Sequence, residues 1–532
     1  MTNAALLTDF YKHSHARQYP VGTQFVYSNT TPRSSRMQGV NSVVVFGTQY
    51  LIDKYLIEVW NDSFFNKPKE EAVSSMQSVL SPAIGPDSVD YAIFEELHDL
   101  GHLPLEIKAL PEGTSCPIGV PFMTVVNTDP RFYWVTNFIE TLTQTVLWQA
   151  ITSATIAREY KKILVAYAEK TSDATGFVPF QAHDFSMRGM SSIETASVSG
   201  AAHLTSFCGT DTIPAIPFLN KYYKALNSDS IIGCSVPATE HAVMCAGGAE
   251  NETETYRRLI EDIYPSGIVS IVSDTWDFWH VMNVTLPSLK EKIFAREGKV
   301  VVRPDSGDPY RICVGYFVKE TNDESADVLE CLRKTHKESR YFTDNDCVLT
   351  SDGKYITVFG EEITEQEAEG AIACLYRNFG GSINTKGYIE LDPHVGLIYG
   401  DSITLDRCNK ILNGLERKGF ASTNMVFGVG SYTYQYNTRD TFSIACKATN
   451  VVINGESREI FKSPKTDSGT KKSARGLLRV DMNDLGEITL FEGQTPEQES
   501  GGLLKTVFLN GRSFSNESID SVRGRLSGEE TK

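Results

Sequence analysis

Arg188, Arg303 and Arg439 each lie in a short polar cluster: "DFSMRGMSS" (184–192), "VVRPDSGDP" (301–309) and "YNTRDT" (436–441). A guanidinium is always charged and offers a rigid fork of donors that matches phosphate or diphosphate oxygens. Asp305 in "RPDSG" and Asp401 in "YGDS" are carboxylates suited to ribose hydroxyls or to Mg2+. Gly307, Gly400 and Gly430 let backbone approach a ligand closely. Phe185 follows His183 and Asp184 and offers a flat face to a ring. These residue types together describe a pocket for a phosphorylated sugar and a planar base.

Such residues need elements to position them, and the chain supplies a repeated one. From about residue 175, short apolar runs end in polar clusters at 177–189, 204–212, 231–241, 267–277, 299–309, 395–402 and 424–432. The run "KVVVRPDSGDP" is typical. Continuous Val/Ile runs are the pattern of parallel strands buried on both faces, and most of the gaps fit one β-α unit. In barrels of such units the loops after the strand ends carry the chemistry. A single cluster is more often only a turn of Gly, Pro, Asp and Ser; seven in succession argue for one shared mouth. The spacing predicts an amphipathic helix over 155–170, with Ile156, Tyr160, Ile163, Leu164 and Tyr167 on one face. It predicts strands at 23–33 and within 104–130, a hairpin over 346–362 turning at Ser351-Asp352-Gly353, and a helix over 364–379. His183 and Asp184 read as a hydrogen-bonded structural pair, and "TWDFWHVMN" (275–283) as core packing with Asp277 excepted.

Composition narrows the partners. The 532 residues carry 50 Lys+Arg against 67 Asp+Glu, a net charge of −17. That disfavours general nucleic-acid binding, which needs a basic face, but leaves room for a small anion among local arginines. Ten cysteines lie between Cys116 and Cys446 with no C-x-x-C pair, which reads as reduced thiols in a cytoplasmic protein rather than a disulfide framework or a zinc site. The first residues, "MTNAALLTDFYKHSH", lack a secretory apolar core, and no run reaches the roughly 18 apolar residues of a membrane span.

The motifs "TDFYKHSHARQYP", "HLPLEIKALPEG", "VNTDPRFYWVTNFIETL", "HDFSMRGMSSIETA", "GTDT", "SVPATEH", "VSDTWD", "VVRPDSGDP", "IYGDS", "FGVGS" and "GLLKTVFLNGR" resemble, in order and spacing, the nicotinamide phosphoribosyltransferase family. The resemblance covers nearly the whole chain except most of 317–390. It implies an α/β fold of type II phosphoribosyltransferase: an irregular α/β barrel packed on an α+β sandwich built from both chain ends. The expected division is 1–174, 175–434 with an insertion within about 317–390, and 435–532. It also implies a homodimer with shared active sites, and the joining of nicotinamide to 5-phosphoribosyl 1-diphosphate in NAD salvage, with Mg2+ and with ATP as co-substrate.

Carried over residue by residue, the resemblance makes Phe185 the stacking aromatic and Tyr11, from the other subunit, its partner across the ring. Asp211 accepts the amide N–H of nicotinamide. Arg188, Arg303 and Pro304 contact the sugar phosphate. Asp305, Gly400 and Asp401 hold the ribose, with Ser431 where the family usually has glycine. Arg33, Arg439 and Lys447 join Arg188, Arg303 and His241 as diphosphate ligands. His241 is the phosphorylated histidine and Asp277 the acid that orients it, with Glu240 second, so that His241, Asp277 and Asp305 form the catalytic set. Lys471 and Lys472 match a basic loop only loosely. Gly396 stands where the family usually has arginine and Ala445 where it has a small hydroxyl; both are expected to remove a contact to an anion. A nicotinate-using enzyme of the same fold is the nearest alternative, and Asp211 argues against it. A catalytically silent binding protein on this scaffold, or another phosphosugar barrel enzyme, stands further off.

Overall fold

A single helix, α1 (Glu140–Thr171), runs through the molecule and packs on both of its large hydrophobic cores. Its first half, with Leu142, Leu147 and Ile151, lies in the core of the terminal sheet. Its second half, with Ile156, Tyr160 and Leu164, lies in the core of the barrel. The predicted helix over 155–170 is therefore only its second half. Residues such as Ser153 and Thr155 are fully buried between the two cores, so one-sided periodicity fails over the first half. The computed structural model describes residues 2–335, 343–400, 402–461 and 474–528.

Six parallel strands form the barrel wall: β1 (Ala182–Asp184), β2 (Gly209–Thr210), β3 (Ser266–Val272), β4 (Glu297–Arg303), β5 (Val395–Tyr399) and β6 (Met425–Val429). Their order in the sheet is β2-β1-β6-β5-β4-β3. The two edges are joined by the irregular segment after residue 231. It bridges Gly209 through Cys234 and Ser270 through Ala238, both in parallel sense. All seven apolar-to-polar runs of the sequence thus stand around one barrel with their polar ends at one mouth.

The strands alternate faces as pleating requires. In β4, Val300 and Val302 pack outward in the barrel core, while Lys299, Val301 and Arg303 line a cavity inside. Barrel interiors are normally filled by branched side chains. Here several inward positions are Gly209, Ala238, Ser270 and Gly396, and the interior stays hollow, with a cavity of about 400 Å3.

Both chain ends build the second layer. A seven-stranded antiparallel sheet runs 456–459, 444–453, 23–32, 123–127, 105–109, 505–509, 512–513. The helix near the C-terminus, which closes against this half, covers Ile519–Ser527.

The insertion forms its own four-stranded sheet from 317–320, 346–349, 355–357 and 362–363, over a small core of Val328, Leu332, Val348 and Ile356. The expected hairpin forms, with its turn at 351–353. The expected helix over 364–379 is two helices, Glu365–Glu369 and Ala371–Phe379. They break at Gly370, where φ is +83° and the backbone lies so close to Val314 and Gly315 that no Cβ fits.

Candidate active site

At the barrel mouth, Phe185, Arg188, Asp211, Arg303, Asp305, Gly400 and Ser431 line one opening of about 590 Å3. Each comes from a strand end or from the loop just after it, where a rigid wall fixes its direction. Phe185, Asp211 and Arg303 line the inner cavity as well, so the mouth and the hollow barrel meet at these three residues.

The base end of the site is built around Asp211. His183 Nε2 lies 2.9 Å from its Oδ1, and the Ser235 hydroxyl donates to the same oxygen. Burial alone would raise the Asp211 carboxyl. The hydrogen bonds from His183 and Ser235, with the charges of His183 and Arg303, outweigh it and hold the group below the ordinary carboxylate range. His183 is therefore not paired with Asp184. Its ring also lies against Phe185, with centroids 4.6 Å apart. Asp184 is wholly buried behind the strand and accepts from the Ser186 N–H.

The sugar end is built around Asp305. Its N–H donates to Asp274 Oδ2 at 2.9 Å, and Ser306 Oγ donates to the same oxygen at 2.5 Å. The Pro304 carbonyl accepts from Gly400 N. A side chain at 400 would overlap the Asp305 carboxylate, which gives a steric reason for glycine there. Arg303 donates to the Thr239 carbonyl, and its Nε lies 3.9 Å from Asp305 Oδ1. Ser431 closes the opposite side, packed so near Gly189 that a Cβ at 189 would strike its hydroxyl.

His241 opens helix α2 (His241–Gly247) and is half exposed. Its Nε2 faces two carboxylates, Asp274 Oδ1 at 3.8 Å and Asp305 Oδ2 at 3.9 Å, and its Nδ1 lies 3.2 Å from Thr275 Oγ1. Asp277, the sequence candidate for orienting His241, instead caps the helical turn that follows, accepting from His280 N at 3.0 Å. Both carboxylates sit in "VSDTWD", three positions apart, and strand length decided between them: β3 ends at Val272, so Asp274 remains at the mouth while Asp277 starts the next element. Asp274 Oδ1 is buried and has no hydrogen-bond partner, a costly state for a carboxylate that a cationic ligand would relieve. Sequence reasoning missed Asp274, Thr275 and Ser235; the only signal for them was their place in loops already singled out.

Four other candidates lie elsewhere in the chain. Arg33 follows the strand 23–32, whose Asn29 pairs with Lys447 on 444–453. Arg439 donates to Gln144 on α1 and pairs with Asp440. Tyr11 is exposed beside Lys12, whose ammonium is paired with Glu140 at 2.6 Å. None of these four lines the mouth of its own chain. Asp401, Lys471 and Lys472 lie outside the described residues.

The two departures resolve differently. Ala445 is buried in the terminal sheet opposite Thr31. Gly396 lines the inner cavity, not the mouth, and the Lys299 side chain crosses it, 3.2 Å from where a Cβ would stand. A cation from the neighbouring strand thus lies beside position 396, and burial lowers the Lys299 ammonium from its usual range.

Residues 180–512 match the nicotinate phosphoribosyltransferase (NAPRTase) family model, and residues 3–107 match the nicotinamide phosphoribosyltransferase N-terminal domain. This chain belongs to the nicotinamide phosphoribosyltransferase family. A relative from Acinetobacter baylyi named nicotinamide phosphoribosyltransferase is 48% identical over 97% of this chain and 96% of its own length. Relatives of the same name from Mycoplasma pneumoniae and Xanthomonas campestris pv. campestris are each 32% identical, over 91% and 98% of this chain and 96% and 98% of their own. Among solved structures, the nicotinate-nucleotide pyrophosphorylase from Pyrococcus furiosus matches with a TM-score of 0.50 over 99% of this chain and 95% of its own, at 14% identity. That match bears on the fold, the type II phosphoribosyltransferase barrel with its terminal layer. The enzyme is a pentosyl-transferring glycosyltransferase. None of its described helices is long and apolar enough to cross a membrane.

Proposed function

We propose that this phosphoribosyltransferase joins nicotinamide to 5-phosphoribosyl 1-diphosphate, giving nicotinamide mononucleotide and diphosphate. The observation that carries the choice of base is Asp211. It is ionised, and both donors that reach it fall on Oδ1, leaving Oδ2 to accept from a ligand. A carboxylate in that place welcomes a carboxamide N–H and repels the carboxylate of nicotinic acid.

The ring stacks on Phe185 with its nitrogen turned to the mouth. Arg303 and Arg188 take the phosphates, and Asp305 with the backbone at Gly400 takes the ribose hydroxyls. Displacement at C1 has oxocarbenium character, so the chain's work is to align the pyridine nitrogen with C1 and to neutralise the leaving group. Asp305 and the orphaned oxygen of Asp274 suit a Mg2+ ion carried mainly by the diphosphate; among the described residues no group of three or more His, Cys, Asp or Glu could hold a metal alone. When bound, such an ion shares the neutralisation of the diphosphate with the arginines.

His241 is the group for ATP-coupled phosphorylation. Its Nδ1, which accepts from the Thr275 hydroxyl, would take the phosphoryl group in place of that hydrogen bond, while Nε2 faces Asp274 and Asp305. Tyr11, Arg33, Arg439 and Lys447 serve a neighbouring subunit's mouth in a homodimer. Buried cysteines such as Cys116, Cys313 and Cys408 are free thiols, which suits a reducing cytoplasmic compartment. The deciding experiment is diphosphate release with nicotinamide, nicotinic acid and no base, each with and without ATP. Turnover with nicotinamide, stimulated by ATP, is the expected result; preference for nicotinic acid would overturn the assignment of base.

A further inference from the structure

Near the C-terminus, helix α3 (Ile519–Ser527) reaches, from outside the barrel, two loops that lead into the base pocket. Ile519 and Val522 are fully buried in a cluster with Val44, Phe46, Leu219 and Tyr223. Gly113 passes so close to the Val522 carbonyl that no side chain fits between them. Ser518 and Ser521 form a capping box at the helix start. The helix is therefore held firmly on one face. Arg525 adds bonds to the Glu112 carbonyl and to Glu517, while Asp520 and Arg523 reach two loops of the barrel.

Arg523 spans both loops. Its guanidinium donates to the Leu204 and Phe207 carbonyls at 2.9 and 3.2 Å, and to the Ile231 and Ile232 carbonyls at 2.9 and 2.8 Å. It also reaches Ser230 Oγ at 3.2 Å. One turn earlier on the helix, Asp520 accepts from Ser228 Oγ and Ser230 Oγ at 2.8 and 2.9 Å. The first loop runs directly into β2 and Asp211. The second runs directly into Cys234 and Ser235. The two are laddered together where Cys234 N donates to the Cys208 carbonyl at 2.7 Å and Thr210 N to the Cys234 carbonyl at 2.9 Å. Asp211 and its donor Ser235 thus stand on neighbouring segments whose approach is held by one half-buried cation.

The alternative reading of Arg523 is plain domain glue. Glue would use an ion pair or apolar contact anywhere on the helix. Instead the fork is spent on main-chain carbonyls of the two segments that deliver the base-reading pair, and on no carboxylate at salt-bridge distance. Carbonyl acceptors fix backbone position and not side-chain chemistry, which is what a register between two loops requires.

We propose that Arg523, assisted by Asp520, is a positioning residue for base recognition: it sets the spacing of the Asp211 and Ser235 loops and thereby the discrimination between a carboxamide and a carboxylate ring. The inference rests on the reading of Asp211 given above. The test uses the full-length enzyme and the variants Arg523→Met, Arg523→Lys and Asp520→Asn. Nicotinamide, nicotinic acid and 5-phosphoribosyl 1-diphosphate are titrated separately, and melting temperature is recorded. For Arg523→Met, KM for nicotinamide should rise roughly ten- to a hundredfold with the nicotinamide-to-nicotinate preference narrowed, while KM for the sugar diphosphate stays within about twofold. Arg523→Lys should recover part of the loss. An unchanged base preference, or an equal fall of kcat for both bases with KM values intact, would overturn the proposal. If Arg523→Met does not fold, Asp520→Asn and Ser230→Ala are read against the same two outcomes. If the wild type prefers nicotinic acid, the reading of Asp211 fails by itself, and Arg523 is judged on the KM of the preferred base.

Discussion

Both donors that reach Asp211, His183 Nε2 and Ser235 Oγ, land on Oδ1. The residue-scale prediction follows from that geometry. Asp211→Ser removes a charged acceptor whose hydrogen bond is worth about 1.5–3 kcal/mol, so the nicotinamide-to-nicotinate preference should fall by one to two decades. Steady-state rates with the two bases measure it, and unchanged discrimination would show that Asp211 does not select the base. At His241 the two carboxylates of "VSDTWD" separate cleanly. His241→Ala should lose acid-labile, base-stable 32P incorporation from γ-labelled ATP. Asp274→Asn should lower that labelling about tenfold or more, because the imidazolium-like product loses its counter-charge. Asp277→Asn, which keeps an acceptor at the helix cap, should label within about twofold of wild type and leave stability nearly unchanged. Equal labelling of wild type and His241→Ala would refute the site. Residue types and loop membership were legible at this scale; which of two nearby carboxylates faces the histidine was not, because that depends on where β3 stops.

At the scale of elements, Glu112 shows how distant segments are tied. It is fully buried and accepts from Gly47 N at 2.8 Å, Gln49 N at 2.6 Å and Tyr223 Oη at 2.8 Å. Burial pushes its carboxyl up to about 7 despite those donors. The folded-state pKa lies above the ordinary value for glutamate, so below about 4.5 the group is protonated whether the chain is folded or not. As pH rises through about 7 the unfolded chain has already lost its proton and the folded one must lose it at a cost. Stability should therefore decline by roughly 3 kcal/mol between pH 4.5 and 8 from this group. Thermal melts of wild type and Glu112→Gln across that range test it: the difference should shift toward the variant as pH rises. A constant difference would mean the carboxyl is ionised throughout. The sequence announced the strand runs and the inserted hairpin, since strand pairs and turns are local. It did not announce the full length of α1 or the break at Gly370. The first is buried on several sides and the second is set by backbone packed against Val314 and Gly315.

For the whole molecule, the candidates divide into two sets. Phe185, Arg188, Asp211, Arg303, Asp305, Gly400 and Ser431 gather at the mouth. Tyr11, Arg33, Arg439 and Lys447 lie instead on the N-terminal face, the terminal sheet and the stretch beside α1. If the second set serves a partner's mouth, mixing Tyr11→Ala chains with Asp305→Ala chains should restore activity. Random pairing makes half the dimers mixed with one intact site each, so about a quarter of wild-type activity is expected. A mixture that stays inactive although mixed dimers form would show that each mouth is complete within one chain.

What the sequence alone determined was a local grammar: seven apolar runs with polar exits, the residue types of a phosphate, ribose and ring pocket, and the motif order that marks the family. These survive because strand burial and loop chemistry are written in neighbouring residues. Tertiary structure decided the rest. It joined the barrel edges through an irregular segment, kept the interior hollow where Gly209, Ala238, Ser270 and Gly396 point inward, and laid the Lys299 side chain across Gly396. It also put Asp274 rather than Asp277 before His241. Each of these depends on which side chains from separate strands share one space, and that is fixed only when the strands close around it.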